Sequence, residues 1–301
     1  MIRKRASINR VLLWTASVCI LAGFASHAYS DALLSKKDTS TILFAVGRGN
    51  GKSFIDPIVI IEKGKLVDPP IHYYTLDHNA QIDAFVTRYF RPGLKYRLLK
   101  SGGRAGTATV EQWEELGCAG LIAKVRLEKL VSHNFDLDGL ATNSLSLGDR
   151  KFSRRVPTDS EGASALKLAR QLYRQNGVPT ELIQMMKTIN LLATDLNADG
   201  IAELIGQFDI RDRGDDPDPH SLFFIAESQG QGLQPGLVLY HFGGGNVSAV
   251  QKLVDLIDLD GDGIAEVITK GEYYETWDYT IYKMNKGKWG SIYEGGGSGG
   301  C

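Results

Sequence analysis

The sequence predicts a mainly β chain of the α+β class, and three observations carry that expectation. Short apolar, β-branched runs bounded by glycine turns fill the first half. A helical period appears in a single stretch, from Thr158 to about Asn190. An eleven-residue segment then occurs twice, at Asp195 and again at Asp258, and apolar strand-like runs follow both copies. With 301 residues, 43% of them hydrophobic, the chain is long enough for one large domain or two ordinary ones. Its 34 Lys+Arg against 35 Asp+Glu exclude a dominant nucleic-acid-binding character, and 23% charged residues argue against a disordered chain.

The N-terminus reads as a secretory leader, residues 1–28. Arg3, Lys4, Arg5 and Arg10 flank the apolar run Val11–Ala25, no acid occurs before Asp31, and Ser26-His27-Ala28 supplies a small-x-small cleavage pattern. The run is short for the ~20 residues of a membrane span, so the mature chain is expected to hold no stable span, although an uncleaved anchor is the competing reading. The expected compartment is periplasmic or extracellular. Beyond the leader the charge is divided: residues 29–193 carry 23 Lys+Arg and 17 Asp+Glu, and residues 194–301 carry 7 and 18. The acidic half calls for cations, or for the basic half as a partner.

Residues 29–156 read as a β-rich domain. Strands are expected at 41–46, 57–62, 96–99, 107–110 and 121–127, with turns at Gly47–Ser53 and Gly102-Gly103. A helical pair follows over 157–190. Thr158-x-x-Glu161 is a capping-box pattern leading into an Ala165, Leu168, Ala169, Leu172 stripe that ends at Gly177. A second helix is expected from Pro179, with Leu182, Met185, Met186 and Ile189 on one face.

Residues 191–294 hold the repeat. Asp195-Leu-Asn-Ala-Asp-Gly-Ile-Ala-Glu-Leu-Ile205 and Asp258-Leu-Asp-Gly-Asp-Gly-Ile-Ala-Glu-Val-Ile268 share eight of eleven positions, and each copy is expected to open a three- or four-stranded antiparallel unit. A hard divalent cation takes six to eight oxygens, and alternate side chains of a tightly curled loop converge on one point where a glycine permits the curl. Asp195, Asn197, Asp199, the carbonyl of Ile201 and Glu203 supply such a set around Gly200, with the Ile201 side chain turned into the core. Asp258, Asp260, Asp262, the carbonyl of Ile264 and Glu266 do so around Gly263. With only oxygen donors, both loops favour Ca²⁺ over zinc or copper, and their flexible carboxylate shells favour it over Mg²⁺. Four carboxylates against three make the second loop the expected tighter site. The competing reading is a pair of acidic turns that hold no ion.

The acid at position 9, rather than at position 12, distinguishes these loops from the helix-loop-helix calcium site. With Phe242-Gly243 ahead of the second copy, the region resembles the FG-GAP or VCBS-type repeat of bacterial secreted proteins, also found in the propeller of integrin α-subunits. The resemblance implies blade-like antiparallel units and Ca²⁺ ligation by Asp195, Asn197, Asp199 and Glu203, and by Asp258, Asp260, Asp262 and Glu266. It covers about a third of the chain. Two copies are too few for a closed propeller, and Glu stands at position 9 where Asp is commoner.

Other motifs carry less. Gly47–Ser53 has the glycines of a phosphate loop in the wrong register and leads into a β pattern. His72, Asp77 and His78 offer acid–base or metal chemistry without a third partner, and no nucleophile elbow or zinc-protease motif occurs. Asp209–Asp218 reads as a solvated acidic loop. Tyr273, Tyr274, Trp277, Tyr279 and Tyr282 line a ligand surface or alternate between core and solvent. Cys118 and Cys301 pair in a disulfide, or Cys118 is a buried thiol and Cys301 ends a flexible glycine-rich tail, residues 295–301. The expected function is an exported calcium-binding protein whose repeats form a binding or scaffolding module for an extracellular protein or carbohydrate. The alternative is a secreted hydrolase with accessory repeats.

Overall fold

A computed structural model describes residues 40–49, 51–71, 78–116, 120–131, 139–211, 219–229, 232–243, 250–273 and 275–298. Its strands outweigh its helices, as the sequence predicts. The first sheet joins β1 (Thr41–Gly49), β2 (Lys52–Glu62), β3 (Lys65–Val67), β4 (Lys95–Lys100), β5 (Gly103–Leu116), β6 (Gly120–Glu128) and β7 (Gly139–Thr142). The order β1-β7-β4-β5-β6-β2 closes on itself through an antiparallel β1–β2 pairing, so six strands form a barrel and β3 extends one edge.

Residues alternate across the barrel wall, and both sides are apolar. Ile42, Phe44 and Val46 point inward with Leu98, Val110 and Leu121, whereas Leu43 and Ala45 point outward with Ile58, Val59 and Leu140. A helix that the β-rich reading did not include, α1 (His78–Tyr89), packs Ile82, Phe85 and Tyr89 against the inner set. Phe90 follows it, its ring centroid 5.9 Å from that of Phe44.

The two repeats are four-stranded antiparallel meanders. The first is β8 (Lys187–Thr194), β9 (Glu203–Arg211), β10 (Pro219–Gln229) and β11 (Gly232–Phe242). The second is β12 (Val250–Ile257), β13 (Glu266–Glu272), β14 (Trp277–Asn285) and β15 (Lys288–Ser298). β15 takes in the glycine run as far as Ser298, so residues 295–298 belong to a strand rather than to a tail.

Between barrel and repeats, α2 (Asp159–Gln175) has the predicted capping box. Glu161 N–H donates to Thr158 Oγ1 at 3.3 Å, and Thr158 N–H donates to Glu161 Oε2 at 2.7 Å. The predicted second helix is corrected to the single turn α3 (Thr180–Ile183). From Lys187 the chain pairs with β9, and Ile189, placed on an apolar helical stripe by spacing alone, is 51% exposed on that strand.

Sheet faces meet in series. The outer wall of the barrel packs on one face of the second repeat through Ile268, Ile281, Tyr279 and Tyr293. The opposite face of that repeat packs on the first repeat, Leu256, Val267 and Tyr282 meeting Leu196, Ile205, Phe223 and Ile225. The far face of the first repeat is covered by α2 and α3. Sheets covered on both faces have strands buried along their length, as β9 shows from Glu203 to Ile210, with Leu204, Ile205, Phe208 and Ile210 supplying its apolar side chains. Fully burying each such Leu, Ile or Phe contributes about 1.5–3 kcal/mol. Of the aromatics considered as a ligand surface, Tyr279 and Tyr282 are buried on opposite faces of β14, Tyr273 and Trp277 are half-buried, and Tyr274 lies outside the described residues.

Two buried carboxylates clamp the barrel to the second repeat. Asp56 on β2, 2% exposed, accepts on Oδ2 from Trp277 Nε1 at 2.7 Å and Tyr279 OH at 2.6 Å. Asp255 on β12 accepts from the Ser101 N–H at 2.9 Å and from the Arg154 guanidinium. Burial pushes each of these carboxyls up to about 6, against those hydrogen bonds and the neighbouring cations. A raised carboxyl pKa means that the folded state binds the proton more tightly, so this contribution to stability falls as pH rises from about 4 to about 6. Asp56→Asn keeps an acceptor for Trp277 and Tyr279 and removes the charge. Relative to the parent, its unfolding free energy in urea should therefore improve by up to about 3 kcal/mol between pH 4 and pH 7. A difference that stayed flat with pH would show that Asp56 does not bury its charge.

Candidate cation loops

Both copies of the repeated segment connect the first two strands of their sheets, and the backbone explains why the acids converge. Thr194 pairs with Glu203 and Ile257 with Glu266, leaving eight-residue connections, 195–202 and 258–265. Each connection has two left-handed positions at equivalent places, Ala198 (φ 62°) and Gly200 (φ 87°) in the first, Gly261 (φ 80°) and Gly263 (φ 88°) in the second. These reverse the chain, and in the second loop they bring Asp258, Asp260 and Asp262 together.

The hydrogen-bond skeleton is the same in both. Asp195 Oδ2 accepts from Gly200 N–H and Asp258 Oδ2 from Gly263 N–H, each at 3.0 Å. Asp199 Oδ1 accepts from Ile201 N–H at 2.7 Å, and Asp262 Oδ1 from Ile264 N–H at 2.8 Å. The closing glutamates, Glu203 and Glu266, are buried at the first residue of β9 and β13 and accept from the N–H of Leu196 and Leu259, both at 2.7 Å. The loops also touch, Ala265 N–H donating to Leu196 O at 2.7 Å.

All ten residues expected from sequence therefore lie in two matching loops. One detail differs: the Ile201 side chain is 54% exposed rather than buried. Leu196, one residue after the first acid, enters the core instead, because the loop turns its even-numbered start towards the sheet interface and leaves its tip in water.

Burial raises the closing glutamate of both loops, and the counter-charge separates them. In the first, burial pushes Glu203 up to about 7, the charges of Asp199 and Asp195 adding to it against the Leu196 N–H. Asp195 Oδ1 is buried there with no hydrogen-bond partner. Asn197 bridges part of the set, its Nδ2 lying 3.2 Å from Asp199 Oδ2 and 3.1 Å from Glu203 Oε1. An all-oxygen set with an orphaned carboxylate oxygen and a desolvated glutamate fits a hard cation. In the second loop, Asp258, Asp260 and Asp262 bring one carboxylate oxygen each within 4.8 Å of one another. Lys283 of β14 enters that cluster, with Nζ 2.5 Å from Asp260 Oδ2, 2.8 Å from Asp262 Oδ2 and 3.0 Å from Glu266 Oε1. Spacing within the repeated segment gave no sign of Lys283, because it comes from another strand.

Several other sequence candidates resolve without forming a site. Gly47–Ser53 lies at the β1–β2 hairpin with strand on both sides, which is incompatible with a phosphate loop opening a helix. His72 and Asp77, the side chain of His78, Cys118, Cys301 and residues 212–218 lie outside the described residues. Among the described residues no helix is long and apolar enough to cross a membrane. No family model, curated protein or solved structure matches the chain.

Ala198 holds a left-handed conformation that its counterpart Gly261 adopts without cost. Ala198→Gly should therefore stabilise the protein by about 0.5–1 kcal/mol, read from the urea midpoint at constant slope. Destabilisation would mean that the first loop is not held in the geometry of the second.

Proposed function

We propose that this chain is an exported calcium-binding protein, periplasmic or extracellular, whose FG-GAP- or VCBS-like repeats form a binding or scaffolding module for an extracellular protein or carbohydrate partner. The observation that carries the reading is the pair of oxygen-lined loops with matching hydrogen bonds, in which Asp195 Oδ1 and Glu266 Oε1 are buried without a hydrogen bond and, among the described residues, only the second has a lysine beside it. Asp195, Asn197, Asp199, Glu203 and the Ile201 carbonyl are the ligands of the first loop. A bound divalent charge there offsets the mutual repulsion of three carboxylates and the desolvation of Glu203. The role is structural. The loops tie the first two strands of each repeat together.

Calcium at 1 mM against a Kd of ~10 μM stabilises the folded state by about 2.7 kcal/mol. The melting temperature should accordingly rise by several degrees from chelator to 1 mM calcium, and Asp199→Ala should abolish that rise. Equal melting temperatures in chelator and calcium would remove the basis of the reading. Magnesium at the same concentration should give a smaller rise, because the loop offers a flexible shell rather than a rigid octahedron.

A further inference from the structure

The two loops share a backbone and differ in what stands over their carboxylates. Lys283 contacts three of the four acids in the second loop: its ammonium donates to Asp260 and Asp262 and lies 3.0 Å from Glu266 Oε1 as an ion pair. Burial opposes the charge on Lys283, but the hydrogen bonds with these acids outweigh it and hold the ammonium above the usual lysine range. A second cationic group lies beside the same loop, since a Cβ added at Gly263 would strike the Arg150 guanidinium.

Among the described residues the first loop has neither. A Cβ added at Gly200 would meet open space. Register gives the counterpart of Lys283: Tyr282 pairs with Val267 across β13–β14, and Ala226 pairs with Leu204 across β9–β10, so the residue one beyond is Lys283 in the second repeat and Glu227 in the first. One repeat places a base where the other places an acid. A divalent ion in the second loop would need the same oxygens that Lys283 Nζ already contacts at 2.5 to 3.0 Å, so the two cations exclude one another.

We infer that Lys283 replaces the divalent cation in the second loop, so that this loop is filled by the chain itself and ion binding is confined to the first. This rests on the reading of the first loop as a cation site. It reverses the order of affinity expected from counting carboxylates. It also makes the second repeat, which carries the contacts with the barrel, independent of calcium, while the first repeat responds to it.

Calcium titration calorimetry on the full chain tests the inference. The parent protein should bind one equivalent, lost in Asp199→Ala and unchanged in Asp262→Ala. Lys283→Gln should bind two equivalents, the second lost when Asp262→Ala is added. Its melting temperature should fall in chelator and recover in calcium. Two equivalents in the parent, one of them lost in Asp262→Ala, would overturn the lysine replacement and leave the cation reading standing. No binding in the parent but one equivalent in Lys283→Gln would support the replacement and overturn the first-loop reading. No binding in either protein would overturn both. The parent and its Asp262→Ala variant decide the matter even if Lys283→Gln does not fold.

Discussion

The architecture depends on two glutamates withdrawn from water at the strand ends where each acidic loop closes. Glu203 and Glu266 are both nearly fully buried, and each accepts a hydrogen bond from the backbone seven residues earlier, which fixes the loop as a closed ring. A buried carboxylate beside other carboxylates is costly unless a positive charge reaches it. The second repeat supplies that charge from within, through Lys283. Among the described residues the first repeat brings only the amide of Asn197 to its glutamate; burial raises both glutamates, and in the second repeat Lys283 acts against that rise. The difference between the loops is therefore one of counter-charge, because the backbone geometry is shared.

This local balance reaches the rest of the molecule through the stacked sheets. The second repeat lies between barrel and first repeat, with apolar cores on both faces, and the Ala265–Leu196 hydrogen bond joins the two loops across one of those cores. A repeat in that central position gains from a counter-ion that does not dissociate. The clamps at Asp56 and Asp255 place further buried charge on the barrel side of the same sheet, where Trp277, Tyr279, Arg154 and the Ser101 N–H receive it. The basic and acidic halves of the sequence thus meet in an ion pair, Arg154 coming from the first half and Asp255 from the second.

The strands and the loops were legible because their signals are local: β-branched runs bounded by glycine, and a repeated segment whose acids converge by loop geometry alone. The elements that were not legible depend on distant partners. In α1, Ile82, Phe85 and Tyr89 do fall at helical spacing, but the run is short and sits between strand patterns, so the β reading absorbed it. At Leu182–Ile189 the spacing was helical and sheet pairing overrode it, β8 being drawn out along β9. Lys283 escaped because the constant offset between repeats ends after β9 and β13. Leu204 to its partner Ala226 spans 22 positions and Val267 to Tyr282 spans 15, so aligning the repeats by sequence sets Lys283 against His220 rather than Glu227. Asp56 and Asp255 gave no signal, since nothing near them in the chain indicates burial against a sheet more than a hundred residues away.

A crystal structure of the protein grown in calcium, with anomalous data to locate the ion, tests the central claim most directly. The account predicts one anomalous peak, in the first loop, at ~2.3–2.6 Å from the oxygens of Asp195, Asn197, Asp199 and Ile201, with Lys283 Nζ seated among Asp260, Asp262 and Glu266. A peak in the second loop with Lys283 displaced into solvent, or an ion-free first loop at saturating calcium, would contradict it.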